Sequence, residues 1–106
     1  MKLAPIILFV YNRPEHTKKT INALKLNKLA SESTLFIFAD GNKNVKDRNS
    51  VNEVRSYIST ITGYKEINIT LRDENLGLAD SVISGVTEVI EKYGKEPPDV
   101  WKKTTK

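Results

Sequence analysis

Two short apolar runs, Ile6-Ile7-Leu8-Phe9-Val10-Tyr11 and Leu35-Phe36-Ile37-Phe38-Ala39, constrain the fold of this 106-residue chain more than any other feature. Both are rich in β-branched and aromatic residues, and neither alternates with polar ones. That is the pattern of strands covered on both faces, as in a parallel sheet with helices above and below. Asn12-Arg13-Pro14-Glu15 ends the first run with an N-cap candidate in Asn12, a proline in the first turn and a glutamate at capping-box spacing. A helix is expected from there to about Leu26, with Ile21 and Leu24 facing inward. Asp40-Gly41-Asn42 closes the second run as a turn, with Gly41 available for a positive φ. Residues 42–50 read as a loop. Val51, Val54, Ile58 and Ile61 then recur at helical spacing, and Gly63 offers a stop.

Ile67-Asn68-Ile69-Thr70-Leu71 alternates apolar with polar, as a half-exposed strand near a sheet edge does. After Arg72–Gly77, the residues Ala79, Val82, Ile83, Val86, Val89, Ile90 and Tyr93 form the longest apolar helical stripe, with Gly94 as its end. The order β-α-β-α-β-α predicts an α/β fold: a three-layer, Rossmann-like unit with a parallel sheet over residues 1–94. Residues 95–106 carry two prolines and four lysines and read as an irregular basic tail.

Composition narrows the function classes. With no cysteine and one histidine, a disulfide scaffold, a Cys-based zinc module and a multi-histidine metal site are excluded. The length suits a single domain. A formal charge of +4 raises the question of a nucleic-acid partner, but 13 of the 17 basic residues are lysines and the tail supplies +2 of the excess. Arginine, the residue for bidentate phosphate and base contacts, is scarce. No nucleic-acid partner is therefore expected. Leu3–Tyr11 is about half a membrane span, and no small-residue cleavage site follows it. The expectation is a cytoplasmic chain without a transmembrane segment.

Ligand sites in parallel sheets lie at the carboxyl ends of the strands, which selects Tyr11–Arg13, Asp40–Asn42 and Arg72–Gly77. There is no P-loop, no G-x-G-x-x-G after the first strand and no G-x-S-x-G. A nucleotide would have to be held by other groups. Asp40 is a candidate acceptor for a base imide or a ribose hydroxyl, its other reading being an Asp-Gly turn residue. Arg72 is a candidate for a base carbonyl or a phosphate, or else a solvated edge-strand arginine. Asn75-Leu76-Gly77 stands before a helix whose free amides attract anions, or simply serves as its entry. His16 and the Asp73-Glu74 pair read as solvated surface charges.

Taken in order, Pro5–His16 with its Tyr-Asn-Arg-Pro turn, Phe36–Asn42 and Asn75-Leu76-Gly77-Leu78-Ala79 resemble the amino-terminal half of the type A glycosyltransferases, especially the inverting family 2 group. The resemblance covers Ala4 to about Gly94, with Ala39 where the family usually carries the first acid of Asp-Asp-Gly-Ser. It implies a sheet of order 3-2-1 and a pocket for a nucleotide-diphosphate sugar. Val10, Tyr11, Asn12 and Arg13 would line the base and Asp40 would bind base or ribose. Arg72, Asn75 and Gly77 would close the other side. It also implies a divalent metal, Mn or Mg, held in the family by an acidic motif after a fourth strand, with a catalytic base further on. Neither follows Gly94 in this sequence. The expectation is a truncated, catalytically incomplete domain whose first strand has a bare edge prone to self-association. Two rivals compete with this reading. A flavodoxin- or response-regulator-like binding module requires five strands and a paired-acid pocket; a nucleic-acid-binding domain requires a basic face interleaved with aromatics.

Overall fold

The computed structural model describes residues 5–27 and 30–94. The elements alternate as β1 (Ile6–Val10), α1 (Pro14–Lys25), β2 (Thr34–Ala39), α2 (Arg48–Ile58), β3 (Glu66–Leu71) and α3 (Leu78–Gly94). Short 3-10 turns at Ala30–Glu32 and Val45–Asp47 precede β2 and α2. The strands form a parallel sheet in the order β1-β2-β3, with Leu8 opposite Ile37 and Ile37 opposite Ile69. The chain is thus α/β with a three-stranded open parallel sheet among its described residues, an arrangement compatible with a Rossmann-like fold.

Alternation along β2 divides the core into two layers. Leu35, Ile37 and Ala39 face α1 and α2, where they meet Ile21, Val54 and Ile58. Phe36 and Phe38 face the other way and pack with Val89 of α3, flanked by Ile7 and Phe9. β2 is the strand covered on both faces, as its apolar run predicts. β1 departs from its pattern. Its one neighbour among the described residues is β2, and Ile6–Phe9 are only half-buried. β3 is the expected half-exposed strand, at an edge of the sheet that the described residues form.

Local chemistry corrects several expectations. Helix α1 starts one residue later than a cap at Asn12 requires: Arg13 holds the N-cap position without a side-chain cap, and Pro14 follows. The Asn12 amide is spent on Asp47 instead, at 3.2 Å. Leu24 is half-buried. The loop over 42–50 contains a turn, because the Asn44 side chain accepts from Asp47 N at 3.2 Å and starts a 3-10 turn that runs into α2. That helix ends at Ile58, before Gly63; Ile61 packs against the core from the connection that follows.

Gly41 does not adopt a positive φ. It is required by space, since a Cβ there would lie 2.7 Å from the Glu74 carbonyl carbon. The largest correction concerns α3. The line it buries is Ser81, Gly85 and Val89, while Val82, Ile83 and Ile90 of the expected inward stripe are 37%, 65% and 47% exposed. At Gly85 a Cβ would fall 2.6 Å from Cε1 of Phe9, so the glycine lets the helix settle on the aromatic layer. The expected tail over 95–106, residues Leu3 and Ala4 of the Leu3–Tyr11 stretch, and the side chain of Tyr93 lie outside the described residues.

Candidate functional site

Three turns meet at the carboxyl ends of the strands. The first follows β1. Val10 O accepts from Asp40 N at 2.9 Å, and Tyr11 then leaves the sheet with its hydroxyl donating to Asp47 Oδ2 and accepting from Lys43 N at 3.2 Å. With Asn12 on Asp47 Oδ1, one carboxylate fastens the Tyr11-Asn12 turn to the loop before α2. These bonds favour the ionised acid, and the Tyr11 hydroxyl does most to hold the Asp47 carboxyl below its usual value. Tyr11 moves the opposite way, raised first by desolvation and then by its bond to Asp47.

The second turn is centred on Asp40, which is 6% exposed. Its Oδ1 accepts from Gly41 N at 3.0 Å and Leu76 N at 2.8 Å; its Oδ2 accepts from Gly77 N at 3.0 Å and Asn75 Nδ2 at 3.2 Å. A carboxylate has about four acceptor directions, and here all four are engaged. Asn75 Nδ2 also reaches Gly41 O at 2.9 Å. Asp40 therefore fixes the entry to α3, and Gly77 supplies the positive φ of 80° that the entry needs. From beneath, Arg55 of α2 donates to the carbonyls of Asp40 at 3.3 Å and Arg72 at 2.5 Å, tying together the ends of β2 and β3.

Between these turns lies a cleft of about 520 Å³. The turn after β1 and the loop before α2 line it with Tyr11, Asn12, Arg13 and Lys43, and Asp40 lines it together with Asn75, Gly77, Leu78 and Ser81 of the α3 entry. His16, Thr17 and Thr20 of α1 and Leu8, Phe9 and Val10 of β1 complete the lining. Seven of the eight residues selected from the sequence line this one cavity.

Arg72 does not. Its guanidinium lies on the α3 side of the sheet, paired with Glu88 and with its carbon 5.4 Å from the Phe38 ring centroid. Sequence reasoning also missed Lys43, Thr17, Thr20 and Ser81. Arg13, His16, Thr17 and Thr20 share one side of α1 by their three- and four-residue spacing, which is a readable signal. Lys43 carries none, because a tertiary bond to Tyr11 sets its place.

Arg13, Lys43 and the imidazole of His16 offer cationic or donor groups to an anion in the cleft, and the threonine hydroxyls add neutral donors. Among the described residues no group of three or more His, Cys, Asp or Glu could hold a metal ion. Among the described residues Asp40 is engaged by four donors and Asp73 and Glu74 are exposed, a set that does not fit the divalent cation the resemblance implies. No helix among the described residues is long and apolar enough to cross a membrane. No family model, characterised protein or solved structure matches the chain.

Proposed function

We propose that this chain is the nucleotide-binding half of a family 2-like glycosyltransferase, cytoplasmic, and that it holds a nucleotide-diphosphate sugar without completing transfer. One observation carries the reading. The Tyr11-Asn12-Arg13 turn and the Asn75-Leu76-Gly77 turn, far apart in sequence, face each other across one cleft at the carboxyl ends of parallel strands. Leu78, exposed beside the cleft, gives a base an apolar surface, and Arg13 and Lys43 give a diphosphate two cations. Asp40 acts indirectly on this reading, by holding Asn75 to Gly77 in place.

Sugar transfer needs charge stabilisation of the departing diphosphate. The described residues provide no metal centre for it, so the proposal stops at binding. The test is calorimetric titration of uridine, guanosine and other nucleotide-diphosphate sugars, with and without Mn²⁺, against the folded protein. Saturable binding is expected, weakened roughly tenfold by Arg13→Ala and again by Lys43→Ala, the effect of removing one charge-assisted hydrogen bond each. No saturable binding of any nucleotide sugar to the folded chain overturns the reading.

A further inference from the structure

We propose that the open edge of β3 pairs with β3 of a second copy of the chain, antiparallel about a two-fold axis at Ile69, so that the two sheets become one. The edge is formed for pairing. Among the described residues β3 has β2 as its one neighbour, and Glu66–Leu71 contains no proline and no lysine, two of the usual guards of a bare edge. Arg72 N donates to Ala39 O at 2.9 Å. Main-chain groups alternate sides along a strand, so those of Asn68 and Thr70 also turn toward β2, and those of Ile67, Ile69 and Leu71 point outward. Ile69 and Leu71 are moreover 38% and 50% exposed, the two large apolar side chains of the sheet that stand in solvent.

The order of residues along this edge selects the occupant. Glu66-Ile67-Asn68-Ile69-Thr70-Leu71-Arg72 reads acid, apolar, polar, apolar, polar, apolar, base. It is symmetric about Ile69, except that its ends carry opposite charges. A two-fold pair sets each residue against its mirror position. Ile69 then meets the partner's Ile69, Ile67 meets the partner's Leu71, and Asn68 meets the partner's Thr70. Glu66, exposed in the single chain, meets the partner's Arg72, and symmetry repeats the pair at the other end. Lys65 and the partner's Asp73, both exposed, extend the match of opposite charges by one step.

Neighbouring registers lose this match. Slipped by two residues in one direction, the pair sets Lys65 against the partner's Leu71. In the other direction Glu66 falls against the partner's Glu74 and Ile67 against the partner's Asp73. Apolar pairs and opposite charges stabilise an antiparallel ladder, whereas like charges directly opposite destabilise it.

The faces agree as well. Ile67, Ile69 and Leu71 lie beside Leu35, Ile37 and Ala39 of β2. The axis stands perpendicular to the sheet, so the partner's apolar row continues the α1–α2 core layer across the junction. Asn68 and Thr70 share the other face with Phe36 and Phe38. There Arg72, which the cleft leaves out, already pairs with Glu88, and a guanidinium has donors enough for a second carboxylate. No residue of β3 lines the cleft, so the proposal is independent of nucleotide binding.

The full chain is expected to show a monomer–dimer equilibrium in sedimentation over the micromolar range. Because the chain has no cysteine, a single introduced thiol reports the register. Ile69→Cys, at an exposed position, should give a disulfide-linked dimer under mild oxidation, since directly opposed residues in such a ladder have Cα atoms about 5.5 Å apart. Ile67→Cys should not, because this register holds the two copies of that position about 14 Å apart. Glu66→Lys turns both terminal pairs into like charges and should weaken the dimer roughly tenfold with the circular dichroism unchanged. A chain that stays monomeric to near-millimolar concentration overturns the proposal. So does a dimer that Glu66→Lys leaves unweakened or that Ile69→Cys fails to link, either of which assigns self-association to another surface.

Discussion

The two faces of the sheet are built differently although one strand serves both. On one side Ile21, Leu35, Ile37, Val54 and Ile58 are at most 1% exposed, and two helices close over them. On the other a single helix reaches Phe36 and Phe38 through Val89, while its own Val82, Ile83 and Ile90 remain in solvent. Each fully buried aliphatic side chain is worth roughly 1.5–3 kcal/mol, so the α1–α2 face dominates stability. The lesson is that an apolar helical stripe does not reveal which side meets the sheet. α3 turns its small residues, Ser81 and Gly85, toward the aromatic layer because the rings of Phe9 and Phe38 already fill that space; they stack with centroids 5.6 Å apart.

The sharpest way to break this contrast is a matched pair of truncations. Val54→Ala is expected to cost about 2.5 kcal/mol in chemical denaturation, two methyl groups plus the cavity left in a closed layer, and Val89→Ala about 1.6 kcal/mol, the worth of two methyl groups; equal losses would mean that the faces carry equal weight. Asp40→Ala comes next, at about 2 kcal/mol, because it strands the amides of Gly41, Leu76 and Gly77. Exchange at those amides should rise together. A change confined to Gly41 would show that Asp40 does not hold the α3 entry.

Gly85→Ala is expected to destabilise by about 1 kcal/mol even though alanine is the better helix former, since the added methyl meets both stacked rings. A stabilised variant would show that α3 rides loosely over its face.

The Tyr11–Asp47 bond sharpens the comparison at the cleft. Asp47 is lowered in the folded chain, so its contribution is present above the ordinary carboxylate pKa and fades as pH falls through the lowered value. Tyr11 is raised, so its contribution is present below the ordinary tyrosine pKa and fades as pH climbs through the raised one. Tyr11→Phe should move the Asp47 carboxyl back toward its usual range in an NMR titration; an unmoved value would dissolve the link. The smallest effect is expected from Ile83→Lys, within about 0.5 kcal/mol for an exposed side chain. A larger loss would place a covering segment over that part of α3.

Much of this was legible in the residues. The uniform run Leu35–Ala39 announced a strand buried on both faces, and the alternation of Ile67–Leu71 announced an edge. The identical signal in Ile6–Tyr11 misled, because a run records how much apolar surface a strand offers and not how much its neighbours cover. Within the site, strand ends located the turns but could not tell a side chain that faces the cleft from one that braces it. Asp40 is consumed by the α3 entry and Arg72 by Glu88.

What the sequence determined by itself was the alternation of strands and helices and the three turns at their ends, because periodicity, proline and turn chemistry act over a few residues. Tertiary structure alone decided which face of α3 is buried, how little of β1 its neighbours among the described residues cover and which polar groups face the cleft. Those outcomes depend on partners thirty or more positions away, Asp40 with Gly77 and Tyr11 with Asp47 among them, and no local pattern encodes a partner at that distance.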